Sequence, residues 1–421
     1  MKAVLATEMA PPFSLVAHFF IAGVIFLLLS GVSLFGMFPE FSGYFISSSL
    51  AAFAHLYLLG FVMMVIFGAM YQLLPVVLEI PLFSKDFAYV QFYMYVIGLS
   101  LMITGFHDDT WHLLIPYGGF MTYLSVVIFC FNVFLTFYRL KQNTIISSYL
   151  LIGTVFLMAS VTLGLILGFA LGHGGVSIDL DVWVKAHVLG TLFGFVMMIV
   201  MGVSMVLIPM FSLAHGFSDA YIKAAFYCHT IGVSLGMMAL LASLPAWVFY
   251  GALGMICASM TVYVIQMAVI LKARVRKQND YWIKNVFFSY VSLLGAMAWL
   301  VVALMQNESL YIFAAAMLFF FGFLLAFIVG HLYKILPFLI WYQKFSPLVG
   351  KQKVPLLHQM VHTGAADWQA FILCGASFAL SIGAATQTST IFQCGAAALM
   401  CSVGLVAFNV VYAFRYHEKE A

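Results

Sequence analysis

Twelve runs of mostly apolar residues, each long enough to cross a bilayer as a helix, follow one another along this chain and leave little room for any other kind of fold. Read between their polar breaks, they lie at roughly 14–36, 46–79, 87–106, 110–137, 146–171, 181–211, 219–242, 245–271, 282–304, 309–342, 368–386 and 390–414. Backbone in hydrocarbon must satisfy its N–H and C=O groups internally, which helices of this length do. With 65% hydrophobic and 7% charged residues, the 421-residue chain also lacks the polar surface of a soluble domain. The expectation is an all-α, polytopic membrane protein forming a single transmembrane domain over residues 1–421.

Charge sets the expected orientation. Starting the chain in the cytoplasm puts Lys2, Lys85, Arg139, the basic run from Lys272 to Lys277, Lys334, Lys344 and Lys419 on the inner side, and leaves only Lys185 of the 17 basic residues outside. Glu40, Asp108, Asp109, Asp179, Asp181 and Glu308 then face out. The positive-inside rule therefore predicts cytoplasmic N- and C-termini in a bacterial-type inner membrane. The first span is too long for a signal peptide and has no small-residue cleavage site, so it reads as retained. The six cysteines all fall inside spans without CxxC spacing and read as packing residues. His358 and His362, four apart in the loop WYQKFSPLVGKQKVPLLHQMVHTG, read as part of a basic interfacial segment rather than a two-ligand metal site. No phosphate-binding glycine loop or nucleic-acid patch is present; membrane lipid, not nucleic acid, is the expected surrounding partner.

An internal repeat organises the spans. Gly60-Phe61, Gly68 and Pro75 in the second recur at the same spacing as Gly194-Phe195, Gly202 and Pro209 in the sixth, and again as Gly322-Phe323, Gly330 and Pro337 in the tenth. The copies are four spans apart, so the chain reads as three four-helix repeats, approximately 14–137, 146–271 and 282–414. Glycines at these spacings permit close helix approach, and an inner ring of the second, sixth and tenth helices crossing near Gly68, Gly202 and Gly330 is expected. Histidines at the start of such apolar runs need a further reason: His55 opens the run in the second span, and His187 opens the one in the sixth, two positions out of register.

A histidine at the outer end of a helix, then Gly-aromatic, Gly, Tyr and Leu-Pro, resembles the tenth helix of the heme-copper oxidase superfamily, especially its cbb-type oxidases and nitric oxide reductases. Twelve helices in three pseudo-equivalent arcs with both termini inside also resembles subunit I of that superfamily. In the family the motif opens His-x-His, each histidine serving a different haem. On that pattern the second span carries Phe53 and then His55, the sixth His187 and then Leu189, and the tenth Ala315 and then Met317. The seventh helix, where the family has twin histidines, reads Tyr227-Cys228-His229. These departures weigh against an oxygen-reducing haem-copper centre of the family type.

The two-residue offset has a geometric meaning, because two steps along an α-helix turn a side chain by roughly 200° while moving it about 3 Å along the axis. Carried over by the pseudo-three-fold relation that the resemblance implies, a second-position histidine on the second helix looks toward the sixth, and a first-position histidine on the sixth looks back. His55 and His187 are thus expected as the two axial ligands of one haem iron, with Lys185 reading either as a partner for a haem propionate or as a helix-start anchor. The haem is expected to be b-type and non-covalent, since no CxxCH is present. Filled axial sites favour electron transfer or redox or gas sensing with a cytochrome or quinol partner, so the chain reads as oxidoreductase-like without being a complete terminal oxidase. No Asp or Glu lies in the middle of a span, which argues against a carboxylate proton relay. Other readings stay open: each histidine merely hydrogen-bonds a carbonyl or a Ser/Thr in a neighbouring span, or the bundle is a transporter for copper or a small molecule, or copper is held at His187 and His229. His18 and His331 read as interfacial, and His107, His112 and His173 as outer-surface residues.

Overall fold

Polar residues at the helix starts decide where the spans begin, and two begin away from the sequence expectation. Asp108 ends one helix and accepts the Thr110 N–H at 2.8 Å, folding Asp109–Trp111 into a short 3₁₀ turn, so the next span starts at Leu114 rather than near 110. The Thr110 hydroxyl, and then its backbone N–H, hold the Asp108 carboxyl below the usual carboxylate range. His362 caps the eleventh span, its Nδ1 accepting the Ala365 N–H at 3.1 Å, so that helix starts at Thr363 rather than near 368. His358 sits instead in the separate 3₁₀ turn Leu357–Met360, so the two loop histidines do not share a helix.

The structure, a computed structural model, describes residues 11–38, 40, 46–174 and 177–416; the inner-side assignments of Lys2 and Lys419 lie outside the described residues. Among the described residues the regular structure is entirely helical. Twelve helices are long and apolar enough to cross a membrane: α1 (Phe13–Leu34), α2 (Ser48–Leu78), α3 (Lys85–His107), α4 (Leu114–Phe137), α5 (Ile145–His173), α6 (Leu180–Ser212), α7 (Ala220–Leu241), α8 (Ala246–Lys272), α9 (Tyr281–Gln306), α10 (Ser309–Lys344), α11 (Thr363–Ala385) and α12 (Ser389–Phe414). The chain is a polytopic all-α membrane protein. It divides into two units, one of Met1–Phe19 with Ile66–Lys277 and one of Phe20–Val65 with Gln278–Ala421, so α1 and α2 each contribute to both.

In the first unit, α3 pairs with α4 and α7 with α8 through close backbone approach. A β-carbon at Gly98 would lie 2.6 Å from the Thr122 nitrogen, and one at Gly118 2.4 Å from the Met102 nitrogen, so only hydrogen fits at either. Each pair is also tied by a buried amide side chain. Asn132 of α4 accepts from the Ser84 N–H at 3.0 Å and donates to the Ser84 carbonyl at 2.7 Å. Gln266 of α8 accepts from the Ile222 N–H at 3.2 Å and donates to the Ser218 carbonyl at 2.8 Å. The second unit has the corresponding tie, the His362 N–H donating to Asn409 Oδ1 of α12 at 2.9 Å. In all three, an amide on the later helix accepts from a backbone N–H at the N-terminus of the earlier one, a group with no intrahelical partner.

The three helices that carry the Gly-Phe motif are the most buried spans. In α2, α6 and α10, 67%, 83% and 83% of the apolar window is buried, against 61% for α1 and at most 50% elsewhere. Each also contains a π-helical stretch around the motif, at His55–Met63, Leu189–Met197 and Leu318–Leu325. The wider turn leaves carbonyls outside the regular ladder, and neighbouring side chains take two of them: Tyr57 donates to the Phe320 carbonyl at 2.6 Å, and His229 Nε2 to the Phe193 carbonyl at 2.8 Å.

The motif glycines pack against the first helix of the same repeat. A β-carbon at Gly60 would fall 2.7 Å from Phe26 Cβ of α1, one at Gly194 2.8 Å from Phe156 Cβ of α5, and one at Gly322 2.6 Å from Ser292 Cβ of α9. One turn pair further on, Gly202 meets Tyr149 Cβ at 2.7 Å and Gly330 meets Asn285 Cβ at 3.0 Å. The sequence expectation put crossings of the inner helices near these glycines; the neighbours a β-carbon would meet there belong to α5 and α9. A small residue licenses an approach without choosing the neighbour. Gly202→Ala is expected to cost about 1–3 kcal/mol by overpacking against Tyr149. Gly254→Ala, where a β-carbon meets nothing within 4 Å, is expected to leave thermal stability in detergent unchanged or slightly raised.

Candidate functional site

His55 stands where α2 passes from α-helical to π-helical winding. Ser47 caps the helix by accepting the Leu50 N–H at 3.1 Å, and His55 follows two turns later as the first residue of the π stretch. Its Nδ1 lies 2.7 Å from the Ala51 carbonyl. A carbonyl only accepts, so Nδ1 carries the proton and Nε2 of the neutral ring carries the lone pair. Two residues to either side, Phe53 and Tyr57 face α10: the Tyr57 ring lies 5.0 Å and the Phe53 ring 6.4 Å from that of Phe321. His55, midway between them in sequence, is therefore on the side of α2 turned away from α10.

His187 enters α6 at the matching level of the motif. Asp179 caps α6 by accepting from the Asp181 and Val182 N–H groups at 3.1 and 3.3 Å, which places His187 two turns in and just before the π stretch. The ring leans on α5. Its Nδ1 lies 2.8 Å from the Ser160 carbonyl, and a β-carbon built at Gly164 would be 2.7 Å from its Cε1. Nδ1 again carries the proton, and Nε2 the lone pair. Leu189, in the second position of α6, packs on Gly236 of α7.

Lys185 is half exposed and forms an ion pair with Asp181, one turn earlier in α6. Such a pair contributes little on a wet surface, and a propionate would have to compete with Asp181 for the ammonium. His229 is fully buried and both its nitrogens are engaged: Nδ1 with the Ser259 hydroxyl at 2.6 Å and Nε2 with the Phe193 carbonyl at 2.8 Å. Binding copper through His229 would mean giving up one of these bonds, so its place in the fold is a clasp joining α7, α8 and the π stretch of α6. Among the described residues, no group of three or more His, Cys, Asp or Glu side chains is arranged to hold a metal ion. His331, buried in α10, shares the Nδ1–H geometry through the Phe327 carbonyl at 2.7 Å. It lies at the far end of its helix, against Trp282 and one turn from the largely buried Lys334–Asp280 pair, not at the motif level.

Reading the sequence missed Ser160 and Gly164, which together hold the His187 ring. The one signal for them was a small-xxx-small spacing on α5, a pattern shared with many packing contacts. It also missed the π stretches, for which the sequence offers only the glycine at their centre.

A scan of the chain against protein-family models gives no match, and a search of curated proteins gives none. The class is defined by the fold itself: a polytopic, all-helical membrane protein with, among the described residues, twelve helices long and apolar enough to span a membrane, and with a histidine on each of α2 and α6 whose Nδ1 lies within hydrogen-bond distance of a backbone carbonyl.

Proposed function

We propose that this protein is a membrane-integral haem protein, resembling heme-copper oxidase subunit I, in which His55 and His187 supply the two axial nitrogens of one non-covalent, b-type haem. The observation that carries the reading is shared ring orientation: two histidines, offset by two motif positions near the start of the π stretches of α2 and α6, each with Nδ1–H held by a backbone carbonyl. Haem-ligating histidines need that arrangement, because the carbonyl fixes the ring and leaves Nε2 as the donor. The donor chemistry fits, and the bare Gly164 beside His187 leaves the ring a slot that any larger residue would fill. When bound, the haem supplies a one-electron couple, and two filled axial positions suit electron transfer or sensing. The protein's own residues fix the rings and hold the protons on Nδ1. Electron exchange with a cytochrome or quinol follows as the proposed role, in a bacterial-type inner membrane with both termini cytoplasmic on the strength of the Lys and Arg distribution.

An optical spectrum of the purified, full-length protein tests this directly. Sharp visible bands of a bis-histidine low-spin haem are expected after reduction; a haem-free protein after expression with ample haem would overturn the reading. The purified protein is also expected not to reduce oxygen at the rate of a respiratory oxidase, because filled axial positions leave the iron no open site. Sustained oxygen consumption with a reduced cytochrome or quinol, lost in His229→Ala, would point to a retained copper site instead.

A further inference from the structure

We infer that Gly164 and the Ser160 carbonyl of α5 form a slot that sets the tautomer and ring plane of His187, making Gly164 a positioning residue for the proposed ligand. The inference rests on the haem reading for its consequence, but its geometry stands within α5 and α6 alone. The Ser160 carbonyl takes the Nδ1 proton at 2.8 Å. One turn along the same face of α5, a β-carbon at Gly164 would lie 2.7 Å from Cε1, 3.1 Å from Nδ1 and 3.5 Å from Nε2 of the ring. A real β-carbon essentially never comes within 3 Å of a neighbouring heavy atom, so any side chain there must move the imidazole or part the helices. The two helices also meet closely at Gly190, where a β-carbon would overlap Ser160 Oγ. The backbone of α6 thus lies close against α5 beside the ring.

The Ser160 side chain is not what orients the ring. Its hydroxyl is buried without a hydrogen-bond partner and is turned to Gly190, while its backbone carbonyl does the orienting. Substitutions at the two positions therefore have opposite expected results. Gly164→Ala changes the ring position, and Ser160→Ala keeps it. Gly168→Ala, one turn further along α5, adds a β-carbon whose nearest neighbours are 3.9 Å away and serves as the packing control.

Two measurements on the full-length protein separate the slot from the haem. In protein purified without haem and labelled with ¹⁵N-histidine, the His187 resonances, assigned by their loss in His187→Gln, should report a proton on Nδ1 in the wild type, Ser160→Ala and Gly168→Ala. In Gly164→Ala that signature should shift or broaden. In haem-loaded protein, Gly164→Ala should lose low-spin signal to a high-spin form and change the midpoint potential, with both controls unchanged. A wild-type His187 protonated on Nε2 overturns the inference without any variant having to fold. So does a Gly164→Ala protein that folds and keeps the wild-type resonances and potential. Absence of haem with the Nδ1 signature intact counts against the haem reading while upholding the slot.

Discussion

Replacing His55 or His187 with alanine is expected to abolish the low-spin haem spectrum or convert it to a five-coordinate, high-spin one. The double substitution should be no worse than the worse single one, because two ligands of one iron act as a unit and their losses do not add. The size of the effect follows from the coordination: removing one axial nitrogen opens an iron site outright, whereas loss of a residue outside the coordination sphere only perturbs it. His18→Ala and His331→Ala are the matched controls. His18 bonds the Ser14 carbonyl near the start of α1, and His331 the Phe327 carbonyl of its own helix, so each is held through Nδ1 within its own helix. Spectra of the purified variants at equal protein concentration decide the matter. A low-spin spectrum that survives loss of His187 and disappears with His331 would move the haem to another part of the molecule.

His229→Ala is expected to give the largest loss of stability among the histidine variants while the haem that remains is still low-spin. The imidazole is fully buried and joins three helices, through Ser259 on one nitrogen and the Phe193 carbonyl on the other. Truncation leaves a cavity and an unpaired carbonyl in the π stretch of α6, together costing about 2–4 kcal/mol, with the spread set by how far the bundle relaxes. Thermal unfolding in detergent, followed by the loss of a single monodisperse species, measures it. His229→Gln should recover part of the loss, since its amide can donate to the same carbonyl. If His229→Ala melts with the wild type, the π stretch does not depend on the clasp.

The apolar runs by themselves determined the class and the number of spans, because length and hydropathy act locally and each span satisfies its own backbone. The spacing of Gly60, Gly194 and Gly322 likewise marked the three most buried helices, and the offset between His55 and His187 marked the two unusual imidazoles. What the sequence left undecided was set by neighbours distant in the chain. Gly202 and Gly330 could approach any helix, and only packing brought them to Tyr149 and Asn285. In the wide turns of α6 and α10, carbonyls outside the α-ladder find donors elsewhere, His229 for Phe193 and Tyr57 for Phe320, which no local pattern encodes. The start of α11 depended on a histidine acting as a cap, a role composition does not suggest. His187 shows the division most plainly: its presence in an apolar run was legible at once, but which nitrogen holds the proton was decided by a carbonyl 27 residues away on α5. A hydrogen bond between helices depends on where two backbones meet, and that is a property of the tertiary structure alone.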